Sequence, residues 1–488
     1  MRLITVVFVF LLNFAFAQTT TIRGKAPSYA GDKIEVYTYS DYVTMEKLPI
    51  GNLNFDSDGN FRLTVETKDI TLIFLDLYVF RGSMFLEPNQ TYEISLPTKT
   101  LPTKNEKNSP FLEQNEIDIF IENGKQGDLN DIIGSFDLSL NRFIIKHVGF
   151  SYGDFRAQAD TAAYLLDSVF SYNNSEFYTY YKKYKLRQLK QMAYRLDDES
   201  AIRAFFTYKK VKFNNPAYME LFNNVFQNFL INYSKTPKGT GLMEKILSYK
   251  SYYLLKKQLL ENYFVFKNDS LVDLAILKGI HDGFTNFSLD VGQHKNQIPG
   301  KQLLTLLDSI YYYCPVEDYK QIALNIKEKY TRMAKGSPAP DFKLRDENGE
   351  FHSLKEFEGK YIYLNFTTSW NYSNQKEFDL IKTSLSKFKD SLQVVTIICD
   401  GEFEDFELNR RKKSQDWLFL YFENKEILTN YRVQIFPIFY VIDQKGKFFI
   451  SPAKAPSEEF EKQFFYSFKK KDGTSIPWFE EVFEEKKD

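Results

Sequence analysis

Apolar and polar positions follow different periods in different stretches of the chain, and those periods divide it. Over Lys33–Tyr39 the side chains alternate, with Ile34, Val36 and Thr38 on one face, which predicts a half-buried strand. Asn52–Phe55 and Phe61–Glu66 flank a turn at Asp56–Asn60 and predict a hairpin; Ile70–Phe80 and Thr91–Leu96 supply further strands. Thr20 to about Pro97 therefore predicts a small all-β domain. Leu101–Ser109 is a linker rich in Pro, Lys and Asn. Beyond it the period lengthens. Ile117, Phe120 and Ile121 recur at helical spacing, as do Leu165, Val169 and Phe170, and then Met219, Phe222, Phe226 and Phe229. Pro110 to about Lys335 thus predicts a helical region, with breakers at Asn214–Pro216, Ser234–Gly239 and Gly292–Gly300 and helices resuming over Lys301–Met333. No clean repeat of fixed period emerges, which disfavours a solenoid.

From Gly336 the pattern changes again. Asp346–Gly349 predicts a hairpin turn. Tyr361–Phe366 predicts an apolar strand, followed by a short polar turn and a helix beginning near Asn371. Phe378, Ile381, Leu385 and Phe388 form the apolar stripe of that helix, and Val394–Cys399 is the near-continuous apolar run of a strand inside a sheet. The acidic stretch Asp400–Asp405 and the basic Arg410–Lys413 read as a solvated helical region. Ile476–Phe479 is a short apolar anchor in a charged tail.

The N-terminus and the composition bound the function. Residues 1–17 read as a secretory signal: Arg2 is the basic end, Leu3–Leu12 the apolar run, and Ala15–Ala17 a small–x–small cleavage site before Gln18. A lipoprotein would carry Cys where Gln18 stands. No later segment reaches the roughly 18 apolar residues of a membrane helix. A soluble protein of the periplasm or cell envelope is expected. The net charge of −1 gives no electrostatic footprint for nucleic acid. Aromatic residues make up 17% of the chain, which reads either as compositional bias or as an aromatic-lined binding surface.

Most catalytic chemistries have no residues to run on. The four histidines, His147, His281, His294 and His352, are scattered without a ligand motif. No phosphate-binding loop, dinucleotide fingerprint or nucleophile elbow occurs. Asp56, Asp58 and Asn60 suggest a calcium loop, but Gly59 is misplaced and Thr67 stands where a bidentate Glu belongs. No metal or cofactor is expected. Cys314 and Cys399 are the two cysteines; they are expected as buried thiols rather than as a cross-domain disulfide or a displaced redox pair.

Particular motifs in the last third carry a resemblance. Ser337–Phe342 (SPAPDF), Ser353–Lys360 (SLKEFEGK), Phe366–Trp370 (FTTSW), Phe436–Pro437, Ile438–Asp443 (IFYVID) and Lys445–Lys447 (KGK) resemble exported thioredoxin-like proteins of Bacteroidetes, in the thiol-disulfide reductase and peroxiredoxin-like branch. The segment before Pro97 more loosely resembles the β-sandwich-like module that often precedes such domains. The resemblance implies a C-terminal thioredoxin-like α/β domain, with Phe436-Pro437 as the cis-proline loop beside the active-site turn. It also implies a Cys-x-x-Cys where this chain has Asn371-Tyr372-Ser373-Asn374. Thr368 keeps a Thr-x-x-Cys spacing, but the peroxidatic cysteine would be Asn371.

Disulfide exchange needs a thiolate nucleophile and a resolving thiol, and an asparagine amide is neither. What remains is a helix start with free backbone N–H groups, for which Asn371 is a good cap. The expected organisation is a signal at 1–17, a β-sandwich-like module at 18–100, an all-α middle region at 101–335 and a thioredoxin-like domain at 336–488. The expected function is that of a redox-inactive envelope protein that binds a peptide or protein partner across Trp370, Tyr372, Phe436 and Pro437. The alternatives are a thiol-disulfide oxidoreductase and a structural module acting through its helices.

Overall fold

The computed structural model describes residues 19–472 except 104–105, 107–108, 110, 112, 148–151, 243–247, 249–250, 263–267, 290–299, 371–373, 389–391, 413–416 and 423–424. The expected leader, residues 292–299 of the third breaker and the apolar anchor near the C-terminus lie outside the described residues. The chain forms two compact units. One holds the residues up to Thr100 and Gln114–Lys327; the other holds Leu101–Glu113 and the residues from Glu328 onward.

The first unit opens with strands β1 (Thr19–Lys25), β2 (Lys33–Tyr39), β3 (Lys47–Asn54), β4 (Asn60–Glu66), β5 (Thr71–Leu77), β6 (Phe80–Leu86), β7 (Thr91–Ser95), β8 (Asn115–Asp118) and β9 (Phe120–Ile121). They make two sheets, ordered β3-β2-β5-β6-β8 and β4-β1-β7-β9. One core takes side chains from both, including Val36, Leu53, Ile73 and Leu86 from the first and Ile22, Phe61 and Ile94 from the second. The turn at Asp56–Asn60 closes on its own chemistry. Asp56 Oδ1 accepts from the backbone N–H of Asp58 and Asn60 at 2.9 and 2.8 Å. Gly59 sits at φ +78°, where a Cβ would lie 2.6 Å from the Ala26 carbonyl, so glycine is required there.

The helical reading of Ile117, Phe120 and Ile121 is corrected. These residues lie on β8, which runs parallel to β6, and on β9, which is antiparallel to β7. Ile117, Ile119 and Ile121 are β-branched residues at alternate positions. Ile119 fills the core while Phe120 points to solvent, so the period is two.

Helices α1 (Leu129–His147), α2 (Tyr152–Val169), α3 (Glu176–Tyr194), α4 (Asp198–Phe205), α5 (Pro216–Val225), α6 (Phe229–Ser234), α7 (Tyr252–Asn262), α8 (Asp269–Leu289), α9 (Gly300–Tyr313) and α10 (Glu317–Thr331) follow. The breaker at Asn214–Pro216 is a helix start: Asn215 Oδ1 accepts from Tyr218 N at 3.2 Å, and Pro216 takes the first helical position. Met219, Phe222, Phe226 and Phe229 are buried as the spacing predicts. Leu165 and Val169 are not. They are 53% and 62% exposed, and α2 instead buries Ala159, Ala162 and Ala163, whose small side chains permit close packing. The sheets and helices of this unit are tied by hydrogen bonds. Asn130 on α1 exchanges a strand-like pair with the Phe85 backbone, at 2.7 and 2.9 Å.

The second unit carries β10 (Lys343–Arg345), β11 (Phe351–Ser353), β12 (Tyr361–Thr367), β13 (Leu392–Ile398), β14 (Leu418–Tyr421), β15 (Ile438–Ile442) and β16 (Phe448–Ala453). Its helices are α11 (Asn374–Phe388), α12 (Phe403–Lys412), α13 (Glu426–Asn430) and α14 (Phe460–Asp472). The sheet order is β11-β10-β14-β13-β12-β15-β16, with β12, β13 and β14 mutually parallel and β15 antiparallel to β12. The apolar runs of β12 and β13 fit their central place, because strands covered on both faces cannot alternate. Tyr363 lies between the rings of Phe439 and Phe460, at 5.1 and 3.9 Å. The charged region at 400–413 is not wholly solvated, as its sequence suggested. Arg410 is buried with its guanidinium 3.7 Å from the centre of the Phe419 ring. Among the described residues, no helix is long and apolar enough to cross a membrane.

Candidate functional site

The site is built at one end of the second unit's sheet. Strand β12 ends at Thr367, and Thr367 and Thr368 are fully buried. The chain then emerges at Trp370, which is 59% exposed, and Asn374 is the first described residue of α11. Asn371 and Tyr372 of the expected site lie outside the described residues. Phe436-Pro437 is a cis peptide and leads directly into β15. Because Ile438 pairs with Phe366, this loop lies at the same sheet end as Thr367–Trp370. Phe436 packs partly into the core, whereas the neighbouring Ile435 is 67% exposed. Trp370, Ile435 and Phe436 thus give this end an apolar, partly solvent-facing character.

Of two buried carboxylates near this loop, Asp400 bonds its Ser369 and Glu377 ties the start of α11 to Ser457, and sequence reasoning assigned neither a role. Asp400, just past β13, accepts from Ser369 N and Ser369 Oγ, both at 2.6 Å. Burial pushes its carboxyl up, and the two bonds from Ser369 only partly offset that. Glu377, in the first turn of α11, is also buried and accepts from Ser457 N at 3.1 Å and from the Ser457 hydroxyl. A carboxylate near a helix start is favoured by the helix dipole. Local sequence holds no signal for either bond, since Asp400 and Ser369 are 31 residues apart and Glu377 and Ser457 are 80.

No described thiol is placed for exchange chemistry. Cys399 is completely buried, with its N–H donated to Thr367 O at 2.9 Å. Burial, with Asp400 adding its charge, pushes the thiol well above its ordinary range. Cys314, in the first unit, is also free and buried, and burial raises it too. A thiol held protonated is a poor nucleophile.

Two further features of this unit are distinct from the Trp370 loop. Donor atoms of Asp346, Glu350 and His352 lie within 4.8 Å of one another, a grouping not foreseen from the scattered histidines, although Asp-x-x-x-Glu-x-His spacing on a hairpin could have signalled it. Asp346 Oδ1 is already committed to the turn, accepting from Asn348 N and Glu350 N at 2.8 and 2.9 Å. His352 Nδ1 lies 3.0 Å from Glu356. An open groove of about 600 Å³ is lined by Lys335, Lys454, Glu459, Lys462, Gln463 and Tyr466, among others, and by no residue of the expected site.

The AhpC/TSA family matches residues 335–448. Over 128 residues the chain is 27% identical to the thioredoxin-like protein YneN of Bacillus subtilis, covering 25% of this chain and 75% of that protein. Over 121 residues it is 31% identical to the thiol-disulfide oxidoreductase ResA of Bacillus thuringiensis, covering 24% of this chain and 69% of that protein. Among solved structures it is similar to the thioredoxin domain of a thiol-disulfide oxidoreductase from Bacteroides vulgatus, with 22% identity and a TM-score of 0.26 over 28% of this chain and 98% of that one. It is also similar to a thiol:disulfide interchange protein DsbE, so described as putative, from Chlorobium tepidum, with 24% identity and a TM-score of 0.25 over 27% and 96%. On the strength of its similarity to ResA, the chain belongs to the thioredoxin-like thiol-disulfide oxidoreductase family.

Proposed function

We propose that this chain is a redox-inactive member of its family that binds a peptide or protein partner at the Trp370–Phe436 end of the sheet. The observation that carries the reading is the pair Asn371 and Asn374 at the two positions where the family motif has cysteine. A carboxamide has no thiolate form and cannot close a disulfide. The burial of Cys314 and Cys399 supports it, since neither thiol is accessible to take over the exchange. The exposure of Trp370 and Ile435 beside the cis-proline loop supports a binding role, because solvent-facing aromatic and branched side chains grouped at one place favour a partner. The alternative, a working oxidoreductase, rests on the relatives' activity.

Reduction of insulin disulfides by the purified protein separates the two. Wild type should show no turnover above the dithiothreitol background. The double variant Asn371→Cys/Asn374→Cys should gain measurable turnover. Wild-type turnover that disappears on replacing Cys399 or Cys314 with Ala would move the active site and end the non-catalytic reading.

We further propose export to the periplasm or cell envelope, on the strength of Arg2, the run Leu3–Leu12 and Ala15–Ala17. Expression in a host with a functional secretion pathway should give a mature chain beginning at Gln18 by intact mass. A full-length chain retained in the cytoplasm would reject this.

A further inference from the structure

Helix α3 and the loop 206–215, which joins α4 to α5, present one positively charged face of the first unit. Lys183 and Lys212 bring their ammonium groups to the same Tyr180 ring, 5.8 and 4.2 Å from its centre, and so tie helix and loop together. Arg187 lies one helical turn beyond Lys183, and Lys209 and Lys210 precede Lys212 in the loop. Lys212 is paired with Glu176 at 2.6 Å. Among the described residues, no carboxylate stands within ion-pair distance of Lys183, Arg187, Lys209 or Lys210. Burial, and the charges of Arg187 and Lys209 close by, hold the Lys183 ammonium below the ordinary lysine range, as expected where like charges gather without a counter-charge. The loop backbone is pinned. Asn268 Nδ2 donates to Lys209 O at 2.6 Å, Lys209 N to Phe206 O at 3.0 Å and Asn215 N to Lys212 O at 2.9 Å. In this frame Tyr208 takes the left-handed backbone conformation, φ +60°, which few residues other than glycine adopt, and it is 74% exposed.

We infer that this face docks the chain on a bilayer surface of anionic lipid, with Tyr208 at the level of the headgroups and Lys183, Lys209 and Lys210 over their phosphates. The observations favour a lipid surface over a single acidic chain. Lysine ammonium groups on flexible stems are point charges, which answer a diffuse field of opposite sign. Arg187, the planar fork that could select one carboxylate, already donates to Phe205 O at 2.9 Å. An exposed tyrosine among lysines suits a membrane–water boundary, where the ring takes the apolar side and the hydroxyl and ammonium groups stay wet. With no membrane-crossing helix among the described residues, this attachment is peripheral. The inference does not rest on the partner-binding reading, since the face belongs to the first unit and the Trp370 loop to the second.

Vesicle sedimentation tests it, using the chain without residues 1–17, whose apolar run would itself enter lipid. The vesicles are phosphatidylcholine, with or without an equal share of phosphatidylglycerol. Wild type should bind the phosphatidylglycerol vesicles, and added salt should weaken that binding. Each lysine near an anionic surface is worth about five-fold in affinity. Lys209→Gln/Lys210→Gln should therefore weaken binding by about ten- to thirty-fold. Tyr208→Ala should weaken it by a smaller factor, about two to five. All three side chains are exposed, so these variants should keep the wild-type circular dichroism spectrum. Lys335→Gln/Lys462→Gln removes the same charge from the groove of the second unit and should bind as wild type does. Equal losses from the two double variants would mean attraction by net charge alone and would overturn the docking face. Equal binding with and without phosphatidylglycerol, or none to either, would overturn the anionic surface. Retention on immobilised poly-glutamate without vesicle binding would assign the face to an acidic protein instead.

Discussion

Strand β12 and the loop that follows it are adjacent in sequence and opposite in character. Along Ile362–Thr367 every side chain is buried, and Phe366 packs against Tyr431 and Tyr440 with ring centroids 5.0 and 6.0 Å away. Four residues later Trp370 faces solvent, and Asn371 and Asn374 follow it in the sequence. A sheet interior is constrained by volume and by the pairing of every backbone group, so its residues cannot drift without loss of the fold. A reactive pair at a turn is constrained only by its chemistry. Asp400, the buried partner of Ser369 in the turn, belongs with the strand in this respect.

The largest effects should follow that division. Phe366→Ala removes a fully buried ring that packs against two tyrosines and should destabilise the second unit by about 3–5 kcal/mol. Trp370→Ala, four positions on, should change stability by no more than about 0.5 kcal/mol, because an exposed side chain loses little on truncation. Urea denaturation monitored by circular dichroism at several wavelengths measures both. Equal losses from the two substitutions would mean that Trp370 is part of the packing, and the contrast between strand and loop would fail.

The same contrast explains what was legible in the sequence. The strand at 33–39 was readable from its alternation, and those at 361–366 and 394–399 from short, near-continuous apolar runs. Ile117–Ile121 was not, since its apolar positions satisfy spacings of both two and three-to-four within five residues. What decides there is the parallel pairing of β8 with β6, a contact distant in sequence. On α2 the helix itself was readable but its buried face was not, because Ala159, Ala162 and Ala163 carry little hydropathic weight and bury by virtue of their size. The placement of Trp370 just past β12 and of the cis Phe436-Pro437 just before β15 was legible through the family resemblance. The bonds of Asp400 and Glu377 were not: each joins a residue that local sequence does not bring near.

The finest test concerns two buried carboxylates of the second unit that should respond to pH with opposite signs. Asp400 is raised above its ordinary value of 3.8, by burial first. An acid raised on folding binds its proton more tightly when folded, so its contribution to stability is fully present below the unfolded value and is lost as pH rises through the folded one. Asp346 is also pushed up by burial, but the N–H groups of Glu350 and Asn348 outweigh that and leave it below 3.8. Its contribution is present above the unfolded value and is lost as pH falls through the folded one. Both carboxylates can be replaced by an amide of the same shape. From pH 4 to pH 7, Asp400→Asn should gain stability relative to wild type. Asp346→Asn should be less stable than wild type at pH 7, with the gap narrowing towards acid. Thermal unfolding of wild type and the two variants, from pH 4 to pH 7 for Asp400→Asn and from pH 5 down to pH 2 for Asp346→Asn, reads both slopes. Parallel slopes would mean that backbone bonding does not distinguish the hairpin carboxylate from the one beneath the Trp370 loop. Opposed slopes would establish that Ser369 holds Asp400 in place without compensating its burial, which leaves the turn supported by a group that prefers to be protonated.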